Sequence, residues 1–303
     1  MATRWIDTHI HVSDIGSDGE RRESMLADLV ETMDRDDADL EFVVSADFPY
    51  LSGMRDDPDG IHTANRMVHE LVEDARGRLH GACMVNPRFT DEALRAMDLC
   101  FDEWGFVMLG EMLPYSHGYV MDSDEAERVV RHAVELDVPV QVHLGTYWHK
   151  DYAGSCDGMD HMRDLLHCYD RVPEAKYILA HAIGCGPSPE YVPWADMFLD
   201  TVFGVFGEWP SNFWIEVRDF QCEALPRTVA EVPADRILAG TDWTTRIGPP
   251  FQRYGTMFGV DEADNPFQPE VASFVSYLRD AGATEEDIER IAWRNAAELM
   301  GLG

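Results

Sequence analysis

The stretch at residues 4–12, RWIDTHIHV, constrains this chain more than any other. It reads as a short buried strand that ends in polar atoms: Ile6, Ile10 and Val12 are apolar, and Asp7, Thr8, His9 and His11 crowd the end. Residues i and i+2 of a strand point to the same side, so His9 and His11 project two imidazoles from one face. Two neutral imidazole nitrogens on one side of a strand end are half of a metal site. A lone His-x-His pair is as ordinary as any two core or surface histidines. It gains weight because further strand ends along the chain carry a His or an Asp in the same relative place.

Short apolar runs recur downstream at 40–46 (LEFVVSA), 79–85, 105–112 (GFVMLGEM), 138–143 (VPVQVH), 175–181 (AKYILAH), 213–217 (FWIEV) and 237–242 (ILAGTD). Between them lie stretches with helical spacing at 21–35, 61–74, 90–103, 123–136, 159–169, part of 189–203, and 222–231. Thr90 is expected to cap its helix, and Phe48, Tyr50 and Met54 are expected in a loop. Helices at 269–281 and 284–300 close the chain, the second opened by Thr284 with Glu285, Glu286 and Asp287 in its first turn. Strands apolar on both faces suit a parallel sheet covered by helices. Eight such units in 303 residues predict an α/β fold, a (β/α)8 TIM-type barrel with C-terminal helices. A doubly wound open sheet would bring a G-x-G-x-x-G loop after the first strand, and 12–19 has none. No linker divides the chain, so 1–303 is read as one domain, with the long segment 249–266 over the barrel mouth.

Composition bears on partners. The formal net charge is −33, and of 24 basic residues only Lys150 and Lys176 are lysine. The acids are spread along the chain, which predicts an acidic surface rather than an acidic tail. Such a surface repels nucleic acid and anionic membranes. Its self-repulsion calls for screening, and at molar salt the Debye length falls to about 3 Å; a salt-rich, halophilic cytoplasm is the expected setting. No apolar run approaches a membrane span, and the first residues lack the pattern of a signal peptide. The six cysteines, at 83, 100, 156, 168, 185 and 222, are irregularly spaced with no C-x-x-C pair, so they read as reduced structural thiols.

In a barrel of this kind the chemistry sits at the C-terminal ends of the strands. Read in turn, those ends give His9 and His11, then Glu111, His143, His181 and Asp242. Three neutral imidazoles and a carboxylate bind Zn²⁺ or a similar ion and leave room for water. The ion lowers the pKa of that water towards about 7, and Asp242 can act as ligand and general base. Aromatic residues follow several strands: Phe48, Tyr50, Tyr115, Tyr119, Tyr147, Trp148 and Trp243. They suggest a partly apolar small-molecule substrate. His117, His149, Lys150, Arg218, Asp219 and Arg246 stand on the same loops, and an Arg there is a natural carboxylate clamp or half of a surface ion pair. Glu216 lies within its strand and is given no role.

The motifs Asp7-Thr8-His9-Ile10-His11, Val142-His143-Leu144-Gly145, Ala180-His181-Ala182-Ile183-Gly184 and Gly240-Thr241-Asp242-Trp243 resemble the amidohydrolase superfamily. Within it they are similar to the group that includes aminocarboxymuconate-semialdehyde decarboxylase and lactone hydrolases. The resemblance implies that His9, His11, His143 and Asp242 hold a first metal and that His181 holds a second or acts on the substrate. It also suggests a homodimer. Glu111 departs from the carboxylated lysine of many members and matches those in which a glutamate bridges two metals.

Taken together, these features predict a metal-dependent hydrolase of a C–N or C–O bond in an amide, lactone or ester. Asp242 and His181 would be its catalytic groups, and one or two divalent ions would be bound, Zn²⁺ first and Mn²⁺, Fe²⁺ or Co²⁺ as alternatives. The alternative is a metal-dependent decarboxylase or other lyase on the same fold. A non-enzymatic barrel is opposed by the intact His and Asp set.

Overall fold

The structure, a computed structural model, describes residues 3–16, 19–75, 77–145, 158–184, 193–244, 254 and 270–303. Its strands are β1 (Thr3–Val12), β2 (Ala38–Ala46), β3 (Leu79–Cys83), β4 (Met108–Met112), β5 (Val140–His143), β6 (Tyr177–Ile183), β7 (Phe213–Val217), β8 (Ile237–Ala239) and β9 (Trp243–Thr244). They form one sheet in the order β8-β7-β6-β5-β4-β3-β2-β1-β9. Each ladder is parallel, from Thr3 opposite Ala38 in β1–β2 to Ile215 opposite Ile237 in β7–β8. The ring closes where β9 resumes the line of β8 and pairs with β1, placing Ile10 opposite Trp243 and His11 opposite Thr244. The α/β barrel expected from the sequence is present.

The strands are buried on both faces because helices wrap the outside and side chains fill the inside. A separate, smaller cluster of the core takes one residue from each of several strands: Ile6, Val43, Ala82, Met108, Ile178 and Leu238. The helix Asn295–Met300 presents Ala296, Ala297 and Met300 to this cluster, so the C-terminal helices plug the end of the barrel opposite the candidate ligands. The larger core lies between strands and outer helices and includes Trp5, Phe42, Phe198, Phe213 and Phe274.

Four local readings differ. Residues 48–56 form a helix, Phe48–Asp56, because Asp47 caps it by accepting from the Phe48 amide and Pro49 fits its first turn. Thr90 is the first helical residue, not the cap, and its hydroxyl donates to the Pro87 carbonyl at 2.7 Å. Pro114–His117 is a short helix that the sequence reading passed over. Strand eight stops at Ala239, and Gly240-Thr241-Asp242 break away before β9. Thr284 does cap its helix, in a reciprocal box with Asp287.

Candidate metal centre

β1 delivers His9 and His11, 1% and 7% exposed. Asp7 anchors that delivery. Its carboxylate accepts from the His9 amide at 2.9 Å, the Thr241 amide at 3.1 Å, the Thr241 hydroxyl at 2.6 Å and the Tyr254 hydroxyl at 2.7 Å. The middle of the first strand is thereby tied to the break after the eighth. Burial outweighs these bonds and raises the Asp7 pKa to about 6.

The orientation of both imidazoles follows from their outer nitrogens. His9 Nδ1 lies 3.0 Å from Glu216 Oε2, and His11 Nδ1 lies 3.2 Å from the Ala46 carbonyl and 3.0 Å from the Ser45 hydroxyl. A carboxylate and a carbonyl only accept, so each Nδ1 carries the proton and each Nε2 offers a lone pair. The two Nε2 atoms are 3.2 Å apart. Glu111 Oε2 lies 3.4 Å from His9 Nε2 and 3.3 Å from His11 Nε2, and Asp242 Oδ1 lies 3.6 and 3.4 Å from the same atoms. Two lone pairs and two carboxylate oxygens converging in this way require a cation or protons between them.

A second group adjoins the first. Glu111 Oε1 lies 2.8 Å from His143 Nδ1 and 3.0 Å from His181 Nε2, and these two nitrogens are 3.0 Å apart. The ligand atoms of His9, His11 and Glu111, and those of Glu111, His143 and His181, form two compact groups that share Glu111. His143 therefore stands with His181 and not with His9 and His11. Among the described residues, His143 Nε2 and His181 Nδ1 are buried with no hydrogen-bond partner. Four imidazoles and two carboxylates with such open positions fit a divalent cation.

The electrostatics agree. Burial opposes charge on His11, yet hydrogen bonds to Asp242 and Glu111 prevail and push its pKa up to about 10. His9 is likewise raised, by Glu111, Glu216 and Asp242 against its burial. Glu111 is held well below the usual carboxylate range despite burial, chiefly by His9 and His143. Asp242 is also lowered against burial, first by Arg218, whose Nε lies 3.2 Å from its Oδ2. In the metal-free molecule protons take the place of the cation.

The backbone is strained at two of the candidate ligands. His181 and Asp242 have φ of 39° and 54°, a left-handed conformation costing about 1–3 kcal/mol that persists where the surroundings impose it. Gly240, the glycine before Thr241-Asp242, has a plain packing reason. A Cβ there would meet the Glu216 carboxyl carbon at 2.7 Å.

All six candidate ligands come together. Arg218 is buried and pairs with Asp242, so it is not part of a surface ion pair. Glu216 is the residue the sequence reading missed. It is fully buried and takes bonds from Thr8 Oγ1 at 3.0 Å, Gln141 Nε2 at 2.6 Å and the His181 amide at 3.2 Å, besides His9. The available signal was parity: Gln141 precedes His143 by two, and Glu216 precedes Arg218 by two, in strands otherwise apolar. Trp243 is a core side chain packed on Phe42 and Tyr254, not a mouth residue. Tyr115 does lie at the site, its ring 4.5 Å from that of His143. His117 is buried and kept neutral by burial, its pKa lowered to about 4. Tyr147, Trp148, His149, Lys150, Arg246, Cys156 and Cys185 lie outside the described residues. So does the 249–266 segment apart from Tyr254, which is buried in the core.

Fold and ligand cluster together define a barrel enzyme of the divalent-metal type. The chain belongs to the amidohydrolase family, whose model matches residues 6–302. No curated protein matches the sequence. Among solved structures, 5-carboxyvanillate decarboxylase LigW from Sphingomonas paucimobilis has a TM-score of 0.66 at 16% identity, covering 100% of both chains. A dihydroxybenzoic acid decarboxylase from Polaromonas sp. JS666, with bound manganese and the inhibitor 2-nitroresorcinol, has a TM-score of 0.64 at 18% identity, covering 100% of this chain and 98% of that one. The 4-oxalomesaconate hydratase LigJ from Rhodopseudomonas palustris has a TM-score of 0.62 at 14% identity, covering 98% and 95%.

These findings correct the expectation of an amide, lactone or ester hydrolase. The similar proteins are mostly decarboxylases, with a hydratase beside them. The reason for the error is chemical: a His and Asp metal set serves hydrolysis and carbon–carbon cleavage alike, so the ligands alone do not choose the reaction.

Proposed function

We propose that this protein is a metal-dependent decarboxylase of a small carboxylic acid. The observation that carries this reading is the full-length likeness to decarboxylases that share the barrel end to end. The reaction replaces a carboxylate by a proton: the bond to the carboxyl carbon breaks, carbon dioxide leaves, and the electron pair left on carbon takes up a proton. A divalent ion held by His9, His11, Glu111, His143, His181 and Asp242 would supply positive charge for the acid's oxygens. The manganese in the Polaromonas structure makes Mn²⁺ a candidate beside Zn²⁺.

The remaining roles belong to this chain. Glu216 and the Ala46 carbonyl fix the tautomers of His9 and His11. Arg218 keeps Asp242 ionised and aims it at the histidine pair. Asp242 and His181, both held at positive φ, are the proton-handling groups. Glu111 spans the two ligand groups with one oxygen in each, so two ion positions sharing this carboxylate are part of the proposal. No helix among the described residues is long and apolar enough to cross a membrane, and a salt-rich cytoplasm remains the proposed setting.

The test is a panel of aromatic and conjugated acids offered to manganese-loaded and chelator-treated protein. Carbon dioxide release from the loaded protein alone is the expected result. Hydration of an unsaturated acid without carbon dioxide would overturn decarboxylation in favour of hydratase chemistry.

A further inference from the structure

Tyr254 is 3% exposed, and its ring is ordinary core: it packs on Phe42 at 5.0 Å, Phe274 at 5.9 Å and Trp243 at 6.0 Å between ring centroids. A phenylalanine would fill that space as well. The hydroxyl is the part that packing does not explain. It accepts from Trp5 Nε1 at 3.1 Å and donates to Asp7 Oδ2 at 2.7 Å, joining positions 247 apart in the chain.

Asp7 is fully buried, and a carboxylate out of water is tolerated where donors surround it. Its two oxygens are served differently. Oδ2 takes the hydroxyls of Tyr254 and Thr241, at 2.7 and 2.6 Å. Oδ1 takes the backbone amides of His9 and Thr241, at 2.9 and 3.1 Å. One of those amides belongs to a candidate ligand, and the other adjoins the candidate ligand Asp242. A carboxylate is rigid and planar, so a rotation that moves Oδ2 also moves Oδ1. Loss of a donor from Oδ2 therefore reaches the amides of His9 and Thr241. Through them it reaches the spacing of His9 Nε2 and Asp242 Oδ1, 3.6 Å apart. A metal site works only while its groups are held within about 0.5 Å of the right geometry.

We propose that Tyr254 is a positioning residue of the metal centre: its hydroxyl sets the rotation of the Asp7 carboxylate, which keeps His9 and Asp242 in register for a divalent cation. The proposal rests on the metal reading of the site and is independent of which reaction follows.

The probe is Co²⁺ alone, whose visible absorption reports the geometry of its ligands, with affinity read by equilibrium dialysis. Tyr254→Phe should lower Co²⁺ affinity about tenfold, the lower end of the effect of groups that orient metal ligands, and shift the bands of the bound ion. Phe274→Leu loosens the packing on the same ring and spares the hydroxyl. It should lower the melting temperature while leaving bands and affinity as in wild type. Thr241→Val removes the other donor from Oδ2, so its effect on affinity should not add simply to that of Tyr254→Phe. A Tyr254→Phe protein that melts earlier but keeps the wild-type bands and affinity overturns the proposal, as does a band shift of equal size in Phe274→Leu. Strict additivity with Thr241→Val overturns it too, because the hydroxyl would then act elsewhere than through Asp7. A wild-type protein that takes up neither Co²⁺ nor Mn²⁺ overturns the metal reading and this proposal together, whereas each of the other failures leaves the metal reading standing.

Discussion

Glu216 Oε2 lies 3.0 Å from His9 Nδ1 inside the barrel, where neither side chain meets solvent. The contact fixes which nitrogen of His9 faces the ligand cluster. Glu216→Gln keeps the shape but sets an amide against the donors that Glu216 now accepts. We expect manganese affinity to fall about 10–100-fold, as for other groups that orient a metal-binding histidine, with the barrel still folded. Equilibrium dialysis on the variant checks this; unchanged affinity would remove Glu216 from the site.

Arg218 holds the outer oxygen of Asp242. Arg218→Met leaves that carboxylate without its main counter-charge, and turnover should drop at least tenfold, about 1.4 kcal/mol or more in the barrier. Arg218→Lys should recover only part, because a single ammonium does not reproduce the guanidinium's fork. A lysine variant as fast as the unaltered protein would show that charge alone matters, and one no faster than the methionine variant would show that the fork is everything.

Glu111 belongs to both ligand groups, whereas His181 belongs to one. Glu111→Ala should therefore lower manganese content per chain more than His181→Ala does, measured by elemental analysis after identical loading. The reverse order would confine Glu111 to one group.

Proton competition gives a pH prediction. In the metal-free protein the His11 pKa is pushed up to about 10 from an ordinary 6.5, so at pH 7 the imidazole is protonated and must lose its proton to bind a cation. Metal uptake should release at least one proton per ion, and affinity should rise with pH. Calorimetry in buffers of different ionisation enthalpy reads this directly. The stability consequence for metal-free protein has the opposite sense. A raised folded-state pKa gives stabilisation that is complete below about 6.5 and is lost as pH rises through about 10.

Self-repulsion at a net charge of −33 is screened over about 10 Å at 0.1 M salt and about 3 Å at 1 M. The melting temperature should climb across that range. A flat salt series would remove the halophilic reading.

The barrel, and the clustering of its candidate ligands, were legible in the sequence because each candidate lies at or near the end of a short apolar strand, a local pattern. Thr241 and Asp242 showed where the eighth strand would carry its acid, but not that the strand would break there. That break depends on Asp7 bonding across the closed ring, a contact between residues at the two ends of the chain. Glu216 was missed for a related reason. Within FWIEV it looks like one charge in a strand, and its meaning appears only when Thr8 and His9 of β1, Gln141 of β5 and His181 of β6 gather on it. The position of His161 was equally hidden, since a histidine in a helix's first turn has no signature until His143 and Tyr115 pack on it.

The ring is closed by the same short stretch that carries Asp242. During synthesis the ribosome must therefore release nearly four-fifths of the polypeptide before β1 meets its last neighbour. Until then Asp242, the candidate aspartate ligand, is not in place, and His9 and His11 stand at an open edge. Metal capture in its final form must follow completion of the fold, so the cell can load the ion only into an essentially finished molecule.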